Sequence, residues 1–136
     1  MTLLRHFAMR CSDMERSRDF YEKVFLFQFV GYRPAGDSID LSDGVNNITL
    51  LQYSGPPRQQ AEEGAEFIHF GVIVDHLESC WKRCLDWGAT ISRGDVKDRT
   101  EVDRDFVPQR SFKVLDPDGN VIDVTADRFE WRGVTT

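Results

Sequence analysis

The sequence predicts an α+β protein made of two β-α-β-β-β modules in tandem. Three observations carry this: a strand-like run and then an amphipathic helix open each half, three further strand-like runs follow each helix, and a polar, turn-rich stretch divides the halves. The first module covers residues 3–53, the linker 54–65, the second module 66–125 and a tail 126–136, all within one domain.

LLRHFAMRC reads as the first strand, with His6 sharing a face with Leu4 and Ala8. SDMERSRDFYEKVF follows as a helix capped by Ser12 or Asp13, with Ser12 and Glu15 at capping-box spacing. Its apolar stripe is Met14, Ser17, Phe20, Tyr21, Val24 and Phe25. FQFVGYR, SIDLSD and NNITLLQY are strands separated by turns near Pro34 to Asp37 and at Gly44. SGPPRQQAEEG is the linker. EFIHFGVIVD then reads as a strand, HLESCWKRCLDWG as a helix closed by Gly88, and ATISR, QRSFKVLD and NVIDVTAD as strands, the last two joined by the turn DPDG. A charged segment, GDVKDRTEVDRDFVP, separates ATISR from QRSFKVLD.

Composition narrows the function. At 136 residues, 40% hydrophobic and 29% charged, the chain is an ordinary globular protein with enough length for a core. A net charge of -6 disfavours a nucleic-acid partner while permitting a small anionic ligand held by local charges. No apolar run is long enough to cross a membrane, and the opening residues lack the pattern of a signal peptide. Cys11, Cys80 and Cys84 are an odd number without zinc-site spacing and read as small apolar residues in a reducing cytoplasm.

Both faces of FIHFGVIVD are apolar apart from His69, which shares its face with Phe67, Gly71 and Ile73. An imidazole there needs a hydrogen-bond partner or a metal. His6 occupies the matching slot of the first module, Asp123 stands in the apolar strand NVIDVTAD, and Thr49 holds the slot of Asp123 in the first module. Two imidazoles and a carboxylate are the ingredients of a facial triad with open metal positions, although spacing alone does not bring them together.

HFAMRCSDMERSRDFYEKVF resembles the opening of a module in the vicinal oxygen chelate superfamily, which includes glyoxalase I, bleomycin-resistance proteins, fosfomycin-resistance enzymes, methylmalonyl-CoA epimerase and extradiol dioxygenases. FIHFGVIVDHLESCWKRCLDWGA resembles the second opening, and RSFKVLDPDGNVIDV its closing hairpin. The resemblance implies cupped mixed sheets of the glyoxalase/dioxygenase kind and a divalent metal on His6, His69 and Asp123, with Asp replacing the commoner Glu. Fe(II) is the first choice, with Mn(II), Zn(II) or Ni(II) as alternatives. Thr49 stands where glyoxalase I and the epimerase place a fourth ligand, which leans the expectation to an extradiol-type dioxygenase chelating vicinal oxygens of a small organic substrate. The alternatives are a redox-neutral glyoxalase-like lyase or isomerase and a metal-free binding protein of the resistance type. The resemblance also implies a homodimer.

Within that frame, Tyr53 and His76 are the candidate catalytic proton carriers, and Thr49, Phe106, Arg110 and Phe112 the candidate substrate contacts. The charged segment is read either as a solvated loop or as a gate, with Phe106 covering a substrate and Arg104 or Arg110 pairing with its anionic group. Phe27, Phe29, Tyr32, Trp81, Trp87, Phe106, Phe112 and Trp131 form the aromatic pool from which a cavity or a subunit interface would draw.

Overall fold

The computed structural model describes residues 1–57, 59, 69–94 and 101–134. The chain divides into two compact units, residues 1–58 and 59–136, with the boundary inside the stretch read as a linker. Both units have the β-α-β-β-β order.

In the first unit, β1 (His6–Cys11) leads into α1 (Met14–Val24), and β2 (Gln28–Tyr32), β3 (Ser38–Ser42) and β4 (Asn47–Gln52) follow. They form one mixed four-stranded sheet in the order β1-β4-β3-β2. The first and last strands pair in parallel, and the remaining pairs are antiparallel. α1 packs on β2, β3 and β4. Ile39, Leu41, Ile48 and Leu50 line the helix-side face of the sheet, and Phe20, Tyr21 and Val24 of the helix are fully buried. Each such side chain contributes about 1.5–3 kcal/mol relative to full exposure. Phe20 and Tyr21 meet edge to face at 5.1 Å, and Tyr21 stacks on Phe27 at 6.1 Å, closing the helix end over the core.

The two helices end differently. α1 stops before Leu26, whose φ of 60° is left-handed without the benefit of a glycine. In the second unit Gly88, at φ 81°, takes that conformation without penalty, and the Ala89 N–H reaches back to the Cys84 carbonyl.

The second unit runs β5 (His69–Ile73), α2 (Leu77–Trp87), β6 (Thr90–Arg93), β7 (Ser111–Leu115) and β8 (Val121–Thr125). Its sheet repeats the first with the order β5-β8-β7-β6 and a parallel β5–β8 pair. Leu77, Cys80, Trp81 and Cys84 are the buried stripe of α2, and Trp81 meets Phe112 of β7 edge to face at 5.1 Å. The DPDG turn is held by Asp116, whose Oδ1 accepts from the backbone N–H groups of Asp118 and Asn120 at 2.9 and 2.8 Å. All three cysteines are buried and outside any disulfide, as expected of small apolar residues. Phe67 and Ile68, read as the start of the second module's first strand, lie outside the described residues.

The cap of α1 departs from the capping-box expectation. Asp13, not Ser12, takes the N-cap geometry and accepts from the Arg16 N–H at 3.0 Å. Glu15 is turned outward instead, where it accepts a hydrogen bond from the Tyr32 hydroxyl and sits 3.8 Å from Arg18. The longer reach of the Asp carboxylate and its negative charge at the helix N-terminus favour this arrangement. Asp13→Ala is therefore expected to lower unfolding stability by about 1 kcal/mol in urea titrations, and Ser12→Ala by less than about 0.5 kcal/mol.

Candidate functional site

Period-two alternation leaves each sheet with one face away from its helix, and those faces carry the polar residues. On the first sheet, His6 lies opposite Asn47 and Ala8 opposite Thr49 across the parallel β1–β4 pair, and Asp40 of β3 lies opposite Thr49 on its other side. His6 Nδ1 is 2.6 Å from Asn47 Oδ1. Because the amide oxygen only accepts, the imidazole donates from Nδ1. The Thr49 hydroxyl donates to Asp40 Oδ1 at 2.6 Å and accepts from Arg33 Nη2 at 3.0 Å. Arg33 also donates to both carboxylate oxygens of Asp40, at 3.1 to 3.2 Å. This face is a satisfied network. Burial alone would raise the pKa of Asp40, but donors from Arg33, Thr49 and Asn47 more than offset it, and the carboxyl is held below its ordinary value.

The second sheet has the same register and different chemistry. His69 lies opposite Val121 and Gly71 opposite Asp123, and Asp123 lies opposite Lys113, which in turn lies opposite Arg93. A carboxylate and two cations thus form one row across three strands. His69 Nδ1 is buried with no hydrogen-bond partner among the described residues. Burial pushes the Asp123 carboxyl above its ordinary pKa, Lys113 and His69 oppose that shift, and the nearby Glu130 reinforces it. An unpartnered buried imidazole nitrogen beside a poorly solvated carboxyl is costly unless a ligand satisfies both.

The other candidates are dispersed. Thr49 is buried and its hydroxyl is engaged on both sides, so Arg33 and Asp40 already occupy what a substrate or metal would use. Tyr53 follows β4, with its ring beneath the Arg10 guanidinium at 4.2 Å. His76 is the exposed N-cap of α2 and makes no side-chain cap bond. Phe106 is 71% exposed and Arg110 is also exposed. Phe112, expected as a substrate contact, is fully buried against Trp81, because its neighbours in the alternation, Ser111 and Lys113, take the face with Asp123. Residues 95–100 of the charged segment, within the stretch read as a gate, lie outside the described residues.

Sequence reasoning did not single out Arg33, Asn47, Asp40, Lys113 or Arg93. Asp40 and Lys113 were findable, since each interrupts an apolar alternation in SIDLS or SFKVL on the face opposite the core. Among the described residues, no three His, Cys, Asp or Glu side chains form a group that could hold a metal ion. The second sheet offers His69 and Asp123, one donor short of a two-histidine, one-carboxylate set, while His6 stands on the sheet of the other unit.

The first-sheet network makes a measurable statement about pH. A carboxyl whose folded pKa is depressed contributes stability that is present above its unfolded value, near 4, and lost as pH falls through the folded value. Asp40→Asn should therefore lower stability at pH 7 by about 1 kcal/mol, a modest figure because Arg33 is half exposed, and should flatten the decline of stability below about pH 4. Chemical denaturation from pH 2 to 7 checks both.

The comparisons with known proteins agree with this architecture. A search among curated proteins finds no match in sequence. An integron cassette protein from the mobile metagenome of V. cholerae is similar at 26% identity and a TM-score of 0.63, covering 92% of this chain and 94% of that one. The trypanothione-dependent glyoxalase I of Leishmania major aligns at 17% identity with a TM-score of 0.69, covering 92% and 86%. TioX from Micromonospora sp. ML1 aligns at 19% with a TM-score of 0.63, covering 91% and 98%. At those last two identities the likeness concerns the fold. The family model for the Glyoxalase/Bleomycin resistance protein/Dioxygenase superfamily matches residues 3–124, nearly the whole of both units, and with the duplicated β-α-β-β-β sheets it establishes that the chain belongs to that superfamily.

Proposed function

We propose that this protein binds a small oxygen-bearing organic molecule on the open face of its second sheet, without depending on a metal. The observation that carries the reading is the juxtaposition of His69 Nδ1, buried without a hydrogen-bond partner among the described residues, with the Asp123–Lys113–Arg93 row. The Asp123 carboxyl offers a hydrogen-bonding group, Lys113 and Arg93 attract a carboxylate or polarised oxygen, and His69 supplies a nitrogen that ligand contact satisfies. Membership of the Glyoxalase/Bleomycin resistance protein/Dioxygenase superfamily is consistent with small-molecule binding of the resistance type.

A second reading keeps His6, His69 and Asp123 as metal ligands of a dioxygenase or of a redox-neutral lyase, with Tyr53 or His76 as proton carrier. The same orphaned nitrogen is what favours it. The donors in place do not complete a metal site among the described residues, so no chemical step follows through a metal.

A single experiment separates the two. Protein stripped with chelator and protein loaded with Fe(II), Mn(II), Zn(II) or Ni(II) are screened by thermal shift against small carboxylates and vicinal diols, with oxygen uptake followed in parallel. The expected result is a ligand-dependent rise in Tm that survives chelation and is lost in Lys113→Ala, because binding to the folded state stabilises by mass action. Stoichiometric metal in the native protein, lost in both His69→Ala and Asp123→Asn, would replace this reading with the enzymatic one.

No helix among the described residues is long and apolar enough to cross a membrane. We further propose a homodimer in a reducing compartment. Taken singly, each four-stranded sheet ends in two edge strands, and β2 carries Val30 and Tyr32 at 62% and 55% exposure, a combination that pairing with another chain would cover. Sedimentation at micromolar concentration should give twice the chain mass; a monomer at that concentration overturns the dimer.

A further inference from the structure

We propose that Trp131 is a ligand-binding residue, an aromatic wall folded back from the C-terminal segment onto the open face of the second sheet, where it selects flat ligands. The proposal rests on the reading of that face as a small-molecule site and adds the chemical class of its occupant.

The segment after β8 is held in place by a succession of local bonds. The Thr125 hydroxyl donates to the Arg110 carbonyl at 3.1 Å and accepts from the Asp127 N–H at 3.0 Å. Asp127 Oδ1 accepts from the Phe129 N–H at 2.9 Å, its carbonyl accepts from the Glu130 N–H at 3.2 Å, and Arg128 lies 3.7 Å from Asp75. These turns bring the indole of Trp131 onto β5 at Gly71, the residue directly opposite Asp123. A Cβ built on Gly71 would lie 2.3 Å from Cζ2 and 2.4 Å from Cη2 of that indole, distances no side chain tolerates, so the ring occupies the space that any other residue at 71 would fill. Trp131 is only half-buried, which leaves ring surface available beside the Asp123–Lys113 pair. Indole is a rigid apolar platform, and it favours another flat ring by offset stacking. Beyond Asp123 in the same row, Lys113 on β7 and Arg93 on β6 stand two and three strands from Gly71, roughly 10 and 14 Å at the usual strand spacing, and supply positive charge at the far end of a ligand lying across the sheet. The occupant these features fit is a planar aromatic or heteroaromatic anion.

The test uses the full chain carrying 5-fluorotryptophan, whose three tryptophans give three fluorine resonances, with Trp131 assigned through Trp131→Phe. The probes are 2-naphthoate, which is flat, and cyclohexanecarboxylate, which has the same charge without a flat ring. The expected outcome is that 2-naphthoate moves the Trp131 resonance and leaves buried Trp81 in place. Its Kd should weaken by roughly five- to tenfold in Trp131→Ala, with cyclohexanecarboxylate unaffected. Gly71→Ala retains the indole but forces it off the strand, so it should reproduce the loss for 2-naphthoate, while circular dichroism and melting establish that both variants are folded. If 2-naphthoate binds in a Lys113-dependent way with the same Kd in both variants, Trp131 is no part of the site, and the small-molecule reading of the face survives. Binding of neither carboxylate at millimolar concentration removes both.

Discussion

The arrangement of the candidate site depends on the parallel pairing of the first and last strand in each unit. Among the described strand pairs it joins strands that are not consecutive in the chain, and it sets β1 against β4 and β5 against β8 in the same register. It places a histidine at the start of one strand and a residue near the middle of the other on one face, one step apart along the strands. A slip of one residue would turn His69 and Asp123 into the helix-side core and bring Phe70 and Ile122 out, exchanging buried apolar surface for buried charge. The fully buried Ile122, Val124, Phe112 and Val114 therefore hold the register on which the polar face relies.

The two sheets use that shared register in opposite ways. In the first, the Thr49 hydroxyl and the Asp40 carboxylate bond each other, and Arg33 donates to both. Such closed networks fix geometry and leave little for a ligand to gain. In the second, the equivalent of Thr49 is Asp123 and the equivalent of Asp40 is Lys113, while the neighbour of the histidine is Val121 where the first sheet has Asn47. The amide that satisfies His6 Nδ1 has thus been replaced by an apolar side chain, which is why the matching nitrogen of His69 is orphaned. The duplicated frame is the same, but the polar residues on it differ: Arg33, Thr49 and Asp40 brace one sheet, and His69 Nδ1 lacks a partner among the described residues on the other.

Gly71 fits the same logic. A strand position directly opposite Asp123 would ordinarily project a side chain onto the face, and its absence admits an indole from a segment far along the chain. The helix-side core tolerates this because its packing runs through Phe70 and Val72, on the other side of the strand.

The order of the elements, the duplication and the equivalence of His6 with His69 and of Thr49 with Asp123 were legible in the sequence, because period-two alternation and helical stripes are local and repeat in both halves. The sequence left Ser12 and Asp13 as rival caps, and the backbone geometry chose Asp13. It also read Phe112 as a substrate contact, although SFKVL places Phe112 and Lys113 on opposite faces, and packing against Trp81 decided which faced the core. Only the tertiary structure supplied the partners: Arg33 reaching Asp40 and Thr49, Asn47 turned to His6, Lys113 set against Asp123, and Trp131 laid on Gly71. Those contacts join residues of different strands or of the chain's end, and alternation along one strand carries no information about what the neighbouring strand will present.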